Sequence, residues 1–334
     1  MNKIISSSVL SISLLITFSI LLLSISLTFN QGYAILQDNL DEQINKSSIQ
    51  YLSFYNLSKS TIQDKTNTVQ LLSNYVESWI QNAKSILLIS SQDQSVRDNS
   101  SANLISEEFM GIPENADLPK REMAKKILEL GQDFFSSIYF TTPQADIYLG
   151  EPFSQQKQLQ RLNYADREWY KGIINLVKNN IEHNNVTVTD IYTSGIFISA
   201  STHTPAIAIA TPVYKKYDYS NNNDNHEPII IGYWVGILNL DDLIKNVKNL
   251  NLADNERLVI FDQNGTIVTD SKNNYYENTT KLQYFEYVDK VSTVLNGEKG
   301  VVEIKNNNDN LPTILMYYPI NSGSYYWGVV YMIN

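Results

Sequence analysis

Arg257-Leu-Val-Ile-Phe-Asp262, Gln263-Asn264-Gly265 and Thr266-Ile-Val-Thr-Asp270 follow one another without a break. Two short segments rich in β-branched and apolar residues flank an Asn-Gly pair, which is a strong short-range signal for a β-hairpin. Behind it come a helical segment near Leu282–Leu295, then Gly297 and Gly300, then strand-like segments at Gly300–Ile304, Thr313–Tyr318 and Tyr326–Ile333. The same plan stands earlier in the chain at greater length. Phe134–Phe140 and Asp146–Leu149, joined by a turn through Thr141-Thr142-Pro143-Gln144, predict a hairpin. Asn163–Asn179 predicts a helix with Asp166 in its first turn, where a carboxylate suits the positive helix end. Strands are expected at Val186–Tyr192, Ile196–Ser201, Ala206–Tyr214 and Ile229–Leu240, and a helix from Asp241 through Leu250. Two successive units of hairpin, helix and antiparallel strands imply an α+β fold of two modules with antiparallel sheets.

Upstream, residues 37–94 contain no Gly or Pro and carry Leu57, Ile62, Val69, Leu72, Val76, Ile80, Ile86 and Leu87 at helical spacing. This predicts a long stalk helix with at most one break, packed against a core; the heptad pattern is not sustained enough for a free coiled coil. Arg97–Leu118 is polar, contains Pro113 and shows no period, so it reads as a loop, and Lys120–Gly131 reads as a short helix closed by glycine.

Ile4–Phe29 carries no charge, and the next ionised side chain after Lys3 is Asp38. A bilayer core of about 30 Å needs roughly 20 apolar residues in a helix, and this run meets that length despite its serines. Its apolar region is longer than that of a cleaved signal peptide and lacks an A-x-A-like site, which points to an uncleaved anchor. Lys3 stands on the leading side, while Asp38, Asp41 and Glu42 follow, which orients the N-terminus to the cytoplasm and the bulk of the chain outside the cell or in the periplasm. The expected organisation is a cytoplasmic tip and transmembrane anchor over 1–36, the long helix over 37–96, a membrane-distal module over 97–250 and a membrane-proximal module over 251–334.

With 43% hydrophobic residues, 22 Tyr and 11 Phe, the chain can fill substantial cores. A net charge of −10 argues against nucleic acid, since no basic patch is available to neutralise phosphates. The absence of cysteine removes disulfides, thiol catalysis and zinc–thiolate sites. The only histidines, His183, His203 and His226, stand in no metal-ligating spacing, so neither a metal nor a cofactor is expected. Tyr219–His226 is a polar hairpin tip whose Asn and Asp oxygens offer calcium ligands, but without EF-hand spacing. No trio of nucleophile, base and orienting group suggests an enzyme. Six N-x-S/T sequons, from Asn45 to Asn278, carry little weight in a chain this rich in Asn and Ser.

Several segments in this order resemble the double Cache, tandem PAS-like, ectodomains of bacterial and archaeal receptors. They are Asn163-Tyr-Ala-Asp166-Arg167-Glu-Trp169-Tyr170, Thr189-Asp-Ile-Tyr192, Ala210-Thr-Pro212-Val-Tyr214 and Gly232-Tyr-Trp-Val-Gly236-Ile-Leu-Asn-Leu240-Asp241. Val259-Ile-Phe-Asp-Gln-Asn-Gly265, Tyr318-Pro-Ile and Trp327-Gly328 extend the resemblance to nearly all of 37–334. It implies a long helix spanning both modules and a small-molecule pocket in the distal one. Arg167, Trp169 and Tyr170 match the R-x-W-Y element that grips the ligand in amino-acid-sensing members. A guanidinium forks onto a carboxylate, and the aromatics donate hydrogen bonds and close an apolar wall. The competing reading is structural: a local Asp166–Arg167 ion pair and a Trp-Tyr pair used as core.

Two departures from the family pattern shape the expected ligand. The tyrosine that should stand five residues before the arginine is Leu162, with Tyr164 nearby but out of register. The aspartate that holds a ligand ammonium aligns with Ile237; a shifted alignment would offer Asp241, which reads better as the cap of the following helix. Asp190 and Tyr192 are candidates for polar groups at the pocket mouth. A small carboxylate-bearing metabolite, an organic acid slightly ahead of an amino acid, is the expected ligand of a membrane-anchored sensor for signal transduction or chemotaxis. The alternative is a surface-anchored structural, adhesion or stand-alone solute-binding module. Receptors of this kind normally carry a second membrane helix, whereas the sequence ends at Asn334 directly after the last strand. Signalling is therefore expected to involve a partner protein or a second copy, or a longer gene product.

Overall fold

The computed structural model describes residues 59–98, 100–131, 134–182, 190–215, 229–273, 281–304 and 312–334. Lys65–Asn334 forms one compact unit; the other, Met1–Asp64, is described only from residue 59 onward. The expected membrane span at Ile4–Phe29, the helix before residue 59, most of the strand at Val186–Tyr192 and the polar tip at Tyr219–His226 lie outside the described residues. No helix among the described residues is long and apolar enough to cross a membrane.

Helix α1 (Lys59–Ser91) runs unbroken for 33 residues. Its buried stripe of Val69, Val76, Ile80, Ala83 and Leu87 follows the spacing of one helix face. A 3-10 turn (Ala102–Leu104) then leads to α2 (Leu118–Leu130), whose N-cap Asp117 accepts a bond from the Lys120 amide.

The N-terminal sheet contains β1 (Phe135–Thr141), β2 (Ile147–Glu151), β3 (Tyr192–Thr193), β6 (Ala208–Tyr214) and β7 (Ile230–Leu238) in the order β2-β1-β7-β6-β3. Every pairing in it is antiparallel. Helix α3 (Phe153–Lys157) follows β2, α4 (Glu168–Glu182) crosses one face, and α5 (Asp241–Lys248) follows β7. A small ribbon of β4 (Phe197–Ile198) and β5 (Pro205–Ala206) stands apart. The C-terminal sheet contains β8 (Glu256–Phe261), β9 (Ile267–Asp270), β10 (Gly300–Ile304), β11 (Thr313–Asn321) and β12 (Tyr326–Ile333) in the order β10-β11-β12-β8-β9, again antiparallel.

Each sheet has its own core. In the first, Trp169, Ile173 and Val177 of α4 pack on Tyr139, Ala208, Ala210 and Val235. In the second, Val288, Val291 and Val294 close over Val259, Phe261, Leu315 and Val330. Helix α1 touches both sheets: Lys65 Nζ bonds to Tyr331 Oη at 2.7 Å, Ser73 donates to the Pro319 carbonyl, and Trp234 Nε1 donates to Ser90 Oγ at 3.0 Å.

Several local expectations are corrected. The helix expected from Asn163 begins at Glu168, because Asn163 is committed elsewhere. Its side chain donates to the Gln144 carbonyl and to Asp146 at 2.8 Å each and accepts the Ala165 amide, an Asx turn that competes with helix. The helix expected near Leu282–Leu295 is two 3-10 turns, Val288–Lys290 and Ser292–Asn296. Val288, Val291 and Val294 are buried at a strict spacing of three, which eclipses on a 3-10 turn and drifts on an α-helix. The strand expected at Ile196–Ser201 shrinks to β4, as the chain turns at Ser199–Thr204 with His203 in the left-handed region (φ 57°). Asp241 does not cap α5: the N-cap is Leu240, and Asp241 lies in the first turn with its own amide held by Asn239 Oδ1 at 3.1 Å.

Candidate functional site

Strand alternation brings Tyr139 and Thr141 of β1 to the α4-facing side of the sheet. Register sets Val235 opposite Tyr139, Ile147 opposite Thr141, and Ile237 opposite Ser137. With Trp169 at the start of α4, Tyr164 and Arg167 in the preceding turn, and the Phe197–Ser201 segment, these residues line a cavity of about 50 Å³ that is open to solvent on one side. Leu159 completes its apolar wall.

The Arg167 guanidinium is flanked by two rings, 5.5 Å from the centre of Phe197 and 5.9 Å from that of Tyr164. Among the described residues it forms no ion pair or hydrogen bond with a carboxylate. The local Asp166–Arg167 pair is not what forms: Asp166 pairs with Arg161 on the exposed side, and that bond holds the Asp166 carboxyl below its ordinary range. No cavity-lining residue is Asp, Glu, His or Lys. Burial pushes the Tyr139 and Tyr164 phenols up, so both remain neutral hydroxyls. Tyr139 Oη has a long bond of 3.4 Å to Ser201 Oγ, and Ser201 Oγ lies 3.2 Å from Ser199 Oγ.

Of the residues singled out from sequence, Arg167 and Trp169 line this cavity together. Tyr170 backs Trp169 with its ring edge-on at 5.8 Å, and its hydroxyl donates to the Pro143 carbonyl at 2.6 Å. Asp190 is buried between α4 and β6: Oδ1 accepts from Asn180 Nδ2 at 2.5 Å, and its carbonyl accepts from Thr211 Oγ1 at 2.8 Å. Tyr192 bonds Glu168 through its hydroxyl and meets the Tyr325 ring edge-on at 6.1 Å, facing the C-terminal sheet rather than the cavity. Sequence reasoning missed Tyr164, Tyr139 and Thr141. The i, i+2 relation of Tyr139 and Thr141 was available in the sequence, whereas Tyr164 reaches the cavity only through the Asn163 turn. Ile237 also lines the wall. Among the described residues no cluster of His, Asp and Glu could hold a metal ion. A wider cleft of about 490 Å³, lined by Asn239, α5 residues and Thr269–Asp270 of β9, lies between the two sheets and shares Ser199 and Ile237 with the cavity.

Two antiparallel PAS-like α+β modules served by one long helix, with a small cavity under α4 of the first, define the class: a double Cache domain. The Cache domain family of the dCache_1 type matches residues 54–334, and the chain belongs to that family. Among solved structures it is similar to the ligand-binding domain of the Pseudomonas fluorescens chemoreceptor CtaA in complex with L-isoleucine, at 13% identity and a TM-score of 0.51, covering 86% of this chain and 95% of that one. It is also similar to the ligand-binding domain of Mlp24 with asparagine, at 14% identity and a TM-score of 0.53, covering 83% and 93%. A third is the extracellular domain of the histidine kinase mmHK1S-Z2, described as putative in that role, at 11% identity and a TM-score of 0.51, covering 82% and 97%. At such identities the likeness concerns the fold. No curated protein matches the chain in sequence.

Proposed function

We propose that this chain is the sensing part of a membrane-anchored receptor, binding a small carboxylate-bearing molecule in the cavity under α4. One observation carries the reading: the Arg167 guanidinium stands at a largely apolar cavity with no protein carboxylate paired to it. A cation in such surroundings is best satisfied by an anion brought from outside, and Arg presents the planar fork that a carboxylate matches. Membership of the Cache family and the ligand complexes of its structural neighbours support a binding role. The lining has no general base, so the cavity is read as a recognition site and not a catalytic one. Ile4–Phe29 serves as the anchor in this reading, with the domain on the outer side of the membrane.

The test is calorimetric titration of the purified full chain with a panel of carboxylates of graded length, repeated on Arg167→Ala. Charge-assisted bonds of this kind contribute about 1.5–3 kcal/mol, so the variant should bind the best ligand at least about tenfold more weakly with an unchanged circular-dichroism melt. Unchanged affinity would remove Arg167 from the site and with it the carboxylate reading.

A further inference from the structure

The wider cleft between the two sheets, about 490 Å³, has room for a small molecule, and it lies at a boundary between modules, where such sites concentrate. It shares only Ser199 and Ile237 with the cavity under α4. On the C-terminal side the decisive residue is Thr269. Register sets Thr269 opposite Ile260, on the face of β9 turned away from the core that holds Val259 and Phe261. Helix α5 lies against β9, and its Ile244 and Lys248 line the cleft together with Thr269. Thr269 is 2% exposed, yet its Oγ1 has no hydrogen-bond partner among the described residues. Buried polar atoms in native proteins are almost always bonded, so this hydroxyl marks a place where a bonding partner is missing.

The rest of the lining restricts what that partner can be. From the N-terminal module come hydroxyls of Ser136, Thr202 and Thr204 and the side-chain amides of Gln155 and Asn239. Hydroxyls and amides both donate and accept, which matches them to a ligand whose own groups do the same. Leu240 and Ile244, one turn apart on α5, and Pro205 of β5 supply an apolar strip beside them. Charge gives no reason to recruit an ion. Asp270 is already held by Arg257, whose Nε and Nη2 lie 2.7–3.2 Å from its oxygens. Asp241 and Lys248 contribute one charge of each sign, seven residues apart on α5 and so about 10 Å apart along its axis. An α-amino acid, whose ammonium and carboxylate are separated by a single carbon, cannot span the two.

We propose that this cleft is a second binding site, separate from the cavity under α4, and that it takes a neutral polyhydroxylated molecule of the sugar or polyol class. The ligand's C–H face lies on Pro205, Leu240 and Ile244. Its hydroxyls bond to Thr269 of one module and to the hydroxyls and amides of the other, so that one molecule touches both modules. Nothing in this assignment depends on Arg167 or on the carboxylate reading of the other cavity.

The experiment is titration calorimetry on the purified full chain with D-glucose, D-galactose, D-ribose and myo-inositol, beside the charged analogues D-gluconate and D-glucosamine. At least one of the four neutral compounds should bind, and at least about tenfold more tightly than either charged analogue. Thr269→Val keeps the shape of the side chain and removes the hydroxyl. It should weaken that binding about three- to tenfold while the melting temperature is held or raised, because no protein bond is lost. Thr204→Trp places a large ring at the exposed rim of the cleft and should abolish binding. Silence from all four neutral compounds overturns the inference, as does gluconate or glucosamine binding equally well. Binding that survives both cleft variants also overturns it, and if that binding is lost in Arg167→Ala the sugar occupies the cavity under α4 instead.

Discussion

Glu168 and Asp262 hold two consecutive peptide N–H groups from opposite sides. Glu168 Oε2 accepts from the Gly195 amide at 2.8 Å, and Asp262 Oδ2 accepts from the Ile196 amide at 2.9 Å. Glu168 stands between Arg167 and Trp169 at the start of α4, while Asp262 follows β8 of the C-terminal sheet. The clamped segment leads directly into Phe197, which flanks the Arg167 guanidinium. Hydrogen bonds from both modules thus converge on the segment that carries Phe197.

Both carboxyls are pushed up: Asp262 by full burial, and Glu168, which keeps solvent exposure on its other side, by desolvation of the bonded carboxylate and by the charge of Asp262. The backbone bonds and the Tyr192 hydroxyl oppose this without cancelling it. A carboxyl raised in the folded state binds its proton more readily there than when unfolded. Its cost to stability is present at neutral pH, relieved as pH falls through the folded value, and gone below the ordinary range near 4. The double variant Glu168→Gln, Asp262→Asn lacks this dependence. The melting temperature of the wild type minus that of the variant should therefore rise as pH is lowered from about 7.5 to 4.5; a flat or falling difference contradicts the raised values.

Gly172 and Tyr192 yield a second prediction. A Cβ on residue 172 would lie 2.1 Å from Tyr192 Cζ, inside the ring itself. Gly→Ala within a helix ordinarily stabilises by about 1 kcal/mol. In α4 the sign should reverse, because overpacking of this kind costs about 1–3 kcal/mol. Gly172→Ala should lower the denaturation midpoint in the native background and raise or hold it in a Tyr192→Ala background. A loss of equal size in both backgrounds would mean that the ring is not the obstacle.

How far the sequence reveals these arrangements depends on the range of the interactions involved. The Arg257–Asp270 hairpin is legible because its cause is local: Asn264-Gly265 supplies the turn, with Gly265 at φ 78°, and alternation does the rest. The 3-10 turns over Val288–Asn296 are not, since a few apolar residues do not distinguish a period of 3.0 from one of 3.6. Arg167 and Trp169 are recognisable through their motif. Tyr164 reads as out of register because it stands three residues before Arg167 and not five; its place beside Arg167 follows a turn that Asn163 holds against Gln144 and Asp146. Tyr192, which reads as a mouth residue, is drawn instead to Glu168 and Tyr325 by contacts no local pattern announces.

Lys84 gives the chain an alkaline signature. Its ammonium is buried on α1, donates to the Ser322 carbonyl at 2.5 Å, and is pushed by burial down to about 8. Between that value and the unfolded value near 10.5 the unfolded chain binds more protons, so stability from this group rises with pH in that window and is constant below it. The raised phenols of Tyr148, Tyr192 and Tyr233 act in the opposite sense, so the wild-type curve alone does not isolate it. Lys84→Met removes only the lysine contribution. The stability of wild type minus variant should increase by up to about 3 kcal/mol from pH 8 to 10.5, read from urea midpoints. No change across the window would mean that Lys84 titrates normally.

Arg121 ties the segment before α2 to the edge of the N-terminal sheet, and its loss should be the most damaging single change on that side. Nη1 donates to Glu151 Oε1 at 2.8 Å and to the Gly150 carbonyl at 3.2 Å. Nη2 donates to the Ile112 and Pro113 carbonyls at 3.0 and 3.1 Å and to Gln156 Oε1 at 3.1 Å, while Nε donates to the Ala116 carbonyl at 3.3 Å. Arg121 and Glu151 are 1% and 2% exposed, so Arg121→Met leaves a buried carboxylate without its cation, a loss of about 3–5 kcal/mol. Arg121→Lys keeps the charge but not the fork and should recover only part of it. Arg121→Met combined with Glu151→Gln removes the stranded charge and should be more stable than Arg121→Met alone, yet below wild type, because the Ala116 carbonyl loses its donor and the Ile112 and Pro113 carbonyls keep only the Gln156 side chain and the Ala116 amide. Hydrogen exchange of the Ile112 amide, which donates to the Tyr148 carbonyl at 2.7 Å, should accelerate in every one of these variants. If the double variant matches wild type, the guanidinium serves only to neutralise Glu151 and does not organise the segment.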